Sequence, residues 1–169
     1  QREASIHRKQ PPKYSPEKVL SAVTLPKARR SNLPRPLTSF IGREKEIRQI
    51  EHLVSGSRLV TITGSGGVRK TRLAIQIATA LSAQFKDGAW WVDLASLFET
   101  THAGQRQQVG ENLVTQAVKN ALRIPESPGL ALLEGTLEYL QDKKLLLVLD
   151  NCEHLIEACA AMAERLLEG

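Results

Sequence analysis

The chain reads as an α/β domain with a parallel sheet flanked by helices, and three features of its 169 residues predict this. Short apolar, β-branched runs of strand length alternate with longer segments whose apolar residues recur at helical spacing. One strand-like run, Leu59–Thr63, passes through a glycine-rich loop straight into a segment with Leu73, Ile77 and Leu81 on one face. A second apolar run, Leu145–Asp150 (LLLVLD), carries an acid at its carboxyl end.

Taken in order, residues 1–36 hold six of the eight prolines and show no sustained periodicity, which predicts a linker or disordered arm. They carry nine Lys or Arg against two Glu, a charge of +7, while residues 37–169 carry fourteen against sixteen, a charge of −2. The net charge of +5 therefore belongs to the arm. Arg29 and Arg30 could meet nucleic acid or an acidic surface, but no aromatics interleave with the charges, so a solvated interdomain linker is the simpler expectation.

Leu37–Ile41 leads to Gly42, Arg43 and Glu44 and a helix to about Val54, with Ile47, Ile50, Leu53 and Val54 on one face. After the strand, loop and helix of residues 59–81, Asp87 and Gly88 form a turn into a second strand, Ala89–Leu94 (AWWVDL). Side chains alternate along a strand, so Trp90 and Trp91 face opposite sides of the sheet and serve as core. Asp93 is expected to make a strand-end hydrogen bond.

Ser96–Gly110 is polar and irregular, a surface loop, followed by a helix marked by Leu113, Val114, Ala117, Val118, Ala121 and Leu122 and stopped by Pro125. Ser127 and Pro128 suit the cap and first position of the next helix, which carries Leu133, Leu137 and Leu140. From Asn151 a final helix places Leu155, Ile156, Cys159, Met162, Ala163 and Leu166 inward.

One domain accommodates this length, and its aromatic-poor core rests on Leu, Ile, Val and Ala. No apolar run is long enough to span a bilayer, and no signal-peptide pattern opens the chain, which predicts a cytoplasmic piece of something longer, with no membrane partner. Cys152 and Cys159, seven apart on one expected helix, would have Cα atoms about 10 Å apart, too far for a disulfide. They read as reduced packing residues.

The candidate chemistry lies in Gly64, Ser65, Gly66, Gly67, Val68, Arg69, Lys70 and Thr71, with Arg72 completing the stretch. Set against G-x-x-x-x-G-K-S/T, every position fits except Arg69, which stands where the second glycine belongs. Glycines let backbone amides turn inward around phosphate oxygens, and a helix starting near Lys70 aims its positive dipole end at the same place. Lys70 would bring a mobile positive charge to the β- and γ-phosphates, and Thr71 a hydroxyl to Mg²⁺. Such a loop needs an acid on a neighbouring parallel strand to orient the metal and its waters, and Asp150 is placed to be that acid.

Four stretches, NLPRPLTSFIGREKEI, LVTITGSGGVRKTRLA, GAWWVDLASL and LLLVLDNCEHLIEACA, resemble in order and spacing the nucleotide-binding domain of the STAND family of signalling ATPases, related to NB-ARC domains. The likeness covers about residues 32–169, and it is strongest to large bacterial transcriptional regulators with a LuxR-type helix-turn-helix or winged-helix module. It implies a P-loop NTPase-like parallel sheet, binding of ADP or ATP with Mg²⁺, and a switch in which exchange of ADP for ATP licenses an attached effector or DNA-binding domain. Nucleic acid would then be met only indirectly. By resemblance, Gly42, Arg43 and Glu44 lie near the base and ribose, and Lys70 and Asp150 act on the phosphates and metal.

Three departures qualify the resemblance. Arg69 brings a Cβ and a long side chain where a glycine normally lies against the phosphates, which predicts impaired binding. Asn151 stands where fast ATPases keep a second acid, and asparagine cannot accept a proton from water, which implies slow hydrolysis. Glu153 is a weaker candidate base, and His154 is expected to cap or pack. The likeness also stops before the family's next strand, which inserts between the two motif-bearing strands, so the sheet is expected to be incomplete and the isolated chain poorly stable. The competing readings are an interaction module in which Arg69 has disabled the loop, and a phosphate-loop kinase or transferase, for which no acceptor-substrate residues stand out.

Overall fold

The computed structural model describes residues 31–35, 42–65, 69–97 and 106–168, the first four of the last range by backbone alone. The elements run α1 (Glu44–Gly56), α2 (Lys70–Leu81), β1 (Ala89–Asp93), α3 (Arg106–Leu122), α4 (Leu132–Gln141), β2 (Leu146–Asp150) and α5 (Ile156–Glu168). Short 3₁₀ turns follow α2, at Ser82–Gln84, and precede α5, at Cys152–His154.

β1 and β2 are parallel neighbours, registered from Ala89 against Leu146 to Asp93 against Asp150. Parallel strands require a crossover, and α3 and α4 provide it. The register puts the two strand-end carboxylates side by side at the carboxyl edge, where ligands bind in open α/β sheets.

Alternation along the strands sorts the core into two clusters. Trp90, Val92, Leu147 and Leu149 face one way, with Val114, Val118, Leu122, Leu140, Leu155, Ala158 and Met162 of α3, α4 and the α5 region packed there. Leu146 faces the other way, against Leu73, Ile77 and Leu81 of α2, which in turn hold Ile47, Ile50 and Val54 of α1. Trp91 is buried outside the first cluster, so the two tryptophans fall on opposite faces as alternation requires. Helices thus cover both faces of the sheet, as the α/β reading predicted.

Several local expectations differ. Leu59–Thr63 forms no strand pairing, and among the described residues β2 has β1 as its one strand neighbour. A β-branched run becomes a strand only when a partner accepts its backbone hydrogen bonds, and none of the described strands lies beside it.

Ser127 and Pro128 do not start a helix. They form a turn in which the Leu130 amide donates to the Ser127 carbonyl at 3.2 Å and Gly129 takes φ +86°. α4 begins at Leu132, where Glu134 Oε2 accepts from the Ala131 amide at 3.3 Å. α3 starts at Arg106, inside the stretch expected to be a loop. It ends at Leu122 with Arg123 at φ +55°.

Ile156, expected inward, is 64% exposed, because the chain breaks its helical path at Leu155 and re-enters a helix at Ile156. Residues 98–105 of the expected loop, Leu37–Ile41, and residues 1–30 of the basic arm lie outside the described residues. The last residues of that arm are held by the sheet: Ser31 bridges Ala89 in parallel fashion, and the Asn32 side chain bonds both backbone groups of Trp91.

Candidate functional site

α2 begins at Lys70, and its first two side chains define the site. The Lys70 ammonium donates to the Gly64 carbonyl at 2.9 Å and the Ser65 carbonyl at 3.2 Å, so the lysine folds back over its own loop. The Thr71 hydroxyl reaches Asp150 at the end of β2, donating at 2.9 Å to Oδ2 with Oδ1 at 3.2 Å. The contact spans 79 positions of sequence, and it exists because α2 packs against the sheet in the cluster of Leu73, Ile77 and Leu81 with Leu146. Lys70, Thr71 and Asp150 are thereby assembled at the carboxyl edge of the sheet. Gly66, Gly67 and Val68 lie outside the described residues.

Arg69 sits at φ +58°, ψ +36°, the left-handed region that disfavours side chains with a Cβ. Its side chain is exposed and makes no hydrogen bond or ion pair with the other described residues. The sequence predicts crowding of phosphates by the Arg69 side chain; what the backbone shows is a left-handed residue where the pattern asks for glycine. Arg72, one turn further along, is half-buried.

At the acidic edge, Asn151 also adopts a left-handed conformation, φ +59°, ψ +43°. Its amide Nδ2 donates to Asp93 Oδ1 at 2.8 Å and lies 3.4 Å from Asp150 Oδ2. Asp93 Oδ1 accepts a second hydrogen bond from the Ala95 amide at 3.0 Å. The Ala95 amide first, and the Asn151 amide second, hold the Asp93 carboxyl below the usual carboxylate range. Glu153 and His154 are exposed on the 3₁₀ turn that follows.

Gly42 (φ +87°) and Arg43 (φ +64°) are two successive left-handed residues that turn the chain into α1 at Glu44. A Cβ on Gly42 would meet nothing within 4 Å, so its requirement for glycine is conformational. The structure joins α1 to α2 through apolar packing, but no hydrogen bond connects Gly42, Arg43 or Glu44 with Lys70, Thr71 or Asp150 among the described residues.

A hydroxyl and a carboxylate already in contact are hard oxygen donors of the kind Mg²⁺ takes. That ion keeps several waters and needs one or two protein ligands beside substrate phosphates, so the pair fits it. Among the described residues there is no group of three His, Cys, Asp or Glu side chains that could enclose a metal without a nucleotide.

Sequence reasoning missed two arrangements here. Asp93 was read as a strand-end acceptor and Asn151 as a poor base, but the side-chain bond between them depends on register, which periodicity does not reveal. The break at Leu155 also brings the two cysteines together, contrary to the single-helix geometry assumed for them. Interaction between the two thiols lowers the pKa of Cys152 and raises that of Cys159 relative to an ordinary cysteine, and both remain free thiols.

With this geometry in place, the comparisons with known proteins are direct. Residues 43–158 match the NB-ARC domain model. The chain is 40% identical over 135 residues to "Uncharacterized protein Rv0894" of Mycobacterium tuberculosis, covering 80% of the chain and 32% of that protein. It is 40% identical over 115 residues to "Putative HTH-type transcriptional regulator Rv0890c" of the same organism, covering 68% of the chain and 12% of that protein. The chain therefore spans about a third or less of the relatives it matches. No solved structure gives a significant match. Together with the parallel sheet and the loop leading into α2, the match over residues 43–158 places the chain in the NB-ARC family.

Proposed function

We propose that the chain is the ATP/ADP-binding switch region of a transcriptional or signalling regulator, with slow Mg²⁺-dependent ATP hydrolysis in the intact protein. Membership of the NB-ARC family supports the nucleotide-binding part of this reading. The observation that carries the rest is the Thr71–Asp150 contact at 2.9 Å beside Lys70. Thr71 and Asp150 offer the two oxygen ligands a phosphate-bound Mg²⁺ takes from protein, and Lys70 offers a cation for the phosphates.

Each residue then has a task. Amides of the glycine-rich loop would line the phosphates, and Lys70 would exchange the Gly64 and Ser65 carbonyls for phosphate oxygens. Thr71 and Asp150 would hold Mg²⁺, which neutralises phosphate charge. Gly42, Arg43 and Glu44 serve the base and ribose. Asn151 has no basic group to accept a proton from attacking water, so hydrolysis is slow, as suits a timed switch.

The relative named as a regulator supports an output through a DNA-binding or effector part elsewhere in the protein, with nucleic acid met indirectly and a cytoplasmic location. Among the described residues no helix is long and apolar enough to cross a membrane. Calorimetric titration of the full-length protein with ADP and ATP, with and without Mg²⁺, tests the proposal. Saturable heat supports it, and none with either nucleotide overturns it.

Arg69 favours a second reading, an interaction module whose loop no longer takes nucleotide, because a left-handed residue with a long side chain stands where the pattern asks for glycine. Nucleotide-dependent thermal protection separates the two readings, since a ligand stabilises only the state that binds it.

A further inference from the structure

We propose that Asp93 is a positioning residue of the metal site, acting through Asn151 to fix the carboxylate of Asp150. This rests on the nucleotide-binding reading given above and names a residue that the phosphate-loop pattern does not contain.

The connection can be followed atom by atom. Asp93 and Asp150 end adjacent parallel strands in direct register. Neighbouring strands lie about 4.8 Å apart, so two carboxylates stand close together at the site. Between them is one amide group. Asn151 Nδ2 has two hydrogens, and it lies 2.8 Å from Asp93 Oδ1 and 3.4 Å from Asp150 Oδ2. The Asp150 oxygen it approaches is the one that accepts from Thr71. Asp93 is itself fixed by the Ala95 amide at 3.0 Å. The sequence Ala95, Asp93, Asn151, Asp150, Thr71 is a continuous hydrogen-bonded line from the loop after β1 to the start of α2.

Two physical consequences follow. Asn151 takes a left-handed conformation, which asparagine tolerates better than most non-glycine residues, and the Asp93 carboxylate at 2.8 Å fixes the direction of its side chain. An amide donor lying between two carboxylates also offsets their mutual repulsion and restricts the rotation of Asp150. A Thr71 oxygen lone pair could take a metal while its hydroxyl still donates to Asp150, and the amide of Asn151 would be the second donor fixing that carboxylate. Groups that orient metal ligands in this way commonly contribute 10- to 100-fold to metal affinity.

The test uses the full-length protein and reads Mg²⁺ dependence. ADP affinity is measured in EDTA and across a Mg²⁺ titration for wild type, Asp93→Ala, Asp93→Asn and Asn151→Ala. Asparagine at position 93 presents a side-chain carbonyl that can accept from both Ala95 and Asn151, so it should restore function if the role is positioning. The expected result is that Asp93→Ala and Asn151→Ala each raise the Mg²⁺ concentration for half-effect roughly 10-fold. ADP affinity in EDTA should stay at the wild-type value, Asp93→Asn should stay within about 2-fold of wild type, and the double alanine variant should be no worse than either single one.

A general loss of folding would instead weaken binding in EDTA as well, and overturns the assignment. So does an unchanged Mg²⁺ response in Asp93→Ala. If wild type binds no nucleotide under either condition, the nucleotide-binding reading fails, and this inference falls with it for that separate reason. Hydrogen exchange at the Ala95 amide gives a readout independent of nucleotide: Asp93→Ala should accelerate it and Asp93→Asn should not.

Discussion

The Lys70 ammonium lies 2.9 Å from the carbonyl of Gly64, six residues earlier in its own loop. In this arrangement the ammonium is engaged by its own loop, and a nucleotide would have to replace two carbonyl contacts to engage it. Replacing Lys70 with Ala would remove the cation proposed to meet phosphate, at a partly exposed position. The expected loss is about 2 kcal/mol of nucleotide binding, roughly 30-fold in Kd, with little change in melting temperature. Titration calorimetry and a thermal melt of the same variant check both halves.

Arg69→Gly relieves a left-handed residue at the phosphate loop. The expected gain is about 1 kcal/mol of stability, seen as a rise of a few degrees in melting temperature, together with tighter ADP binding. Equal affinities for wild type and variant would refute the view that Arg69 impairs the site.

Asn32→Ala cuts both hydrogen bonds to Trp91, at 2.8 and 2.6 Å. A cost of about 1–2 kcal/mol is expected, with faster hydrogen exchange at the Trp91 amide. Exchange at Val118, deep in the other cluster, should be unaffected by local opening of this edge.

Leu94 is fully buried in the larger cluster, and Leu94→Ala leaves a cavity there. A loss of about 2–5 kcal/mol is expected from denaturant unfolding. Ile156→Ala, on the exposed side of α5, should stay within about 0.5 kcal/mol of wild type.

The Asp93 carboxyl is lowered first by the Ala95 amide and then by Asn151. A lowered folded value means that its contribution to stability is present above the unfolded carboxylate pKa and is lost as pH falls through the folded one. Asn151→Ala removes the second cause only. Carboxyl NMR titration should therefore show Asp93 moving upward while remaining below its ordinary value.

The parts of this molecule set by local chemistry were legible in the sequence. The stripe of Leu73, Ile77 and Leu81 gave α2 and its buried face, and alternation gave the opposed tryptophans. The acid at the end of LLLVLD anticipated the meeting of Asp150 with Thr71. Features that depend on distant partners were not legible. Leu59–Thr63 has strand chemistry but no strand beside it among the described residues. Ser127 and Pro128 have the composition of a helix start, and the positive φ of Gly129 makes them a turn. The Asp93–Asn151 bond appears only once register is known, and the thiol contact only once the chain bends at Leu155.

The hold of Ser31 and Asn32 on β1 also shields one edge of the sheet. Their contacts occupy the outer margin of β1, where an incoming strand would otherwise find Trp91's amide and carbonyl unpaired. The far margin of β2 has no such guard among the described residues. A further strand on the Trp91 side of β1 would first have to displace the Asn32 side chain from both backbone groups of Trp91.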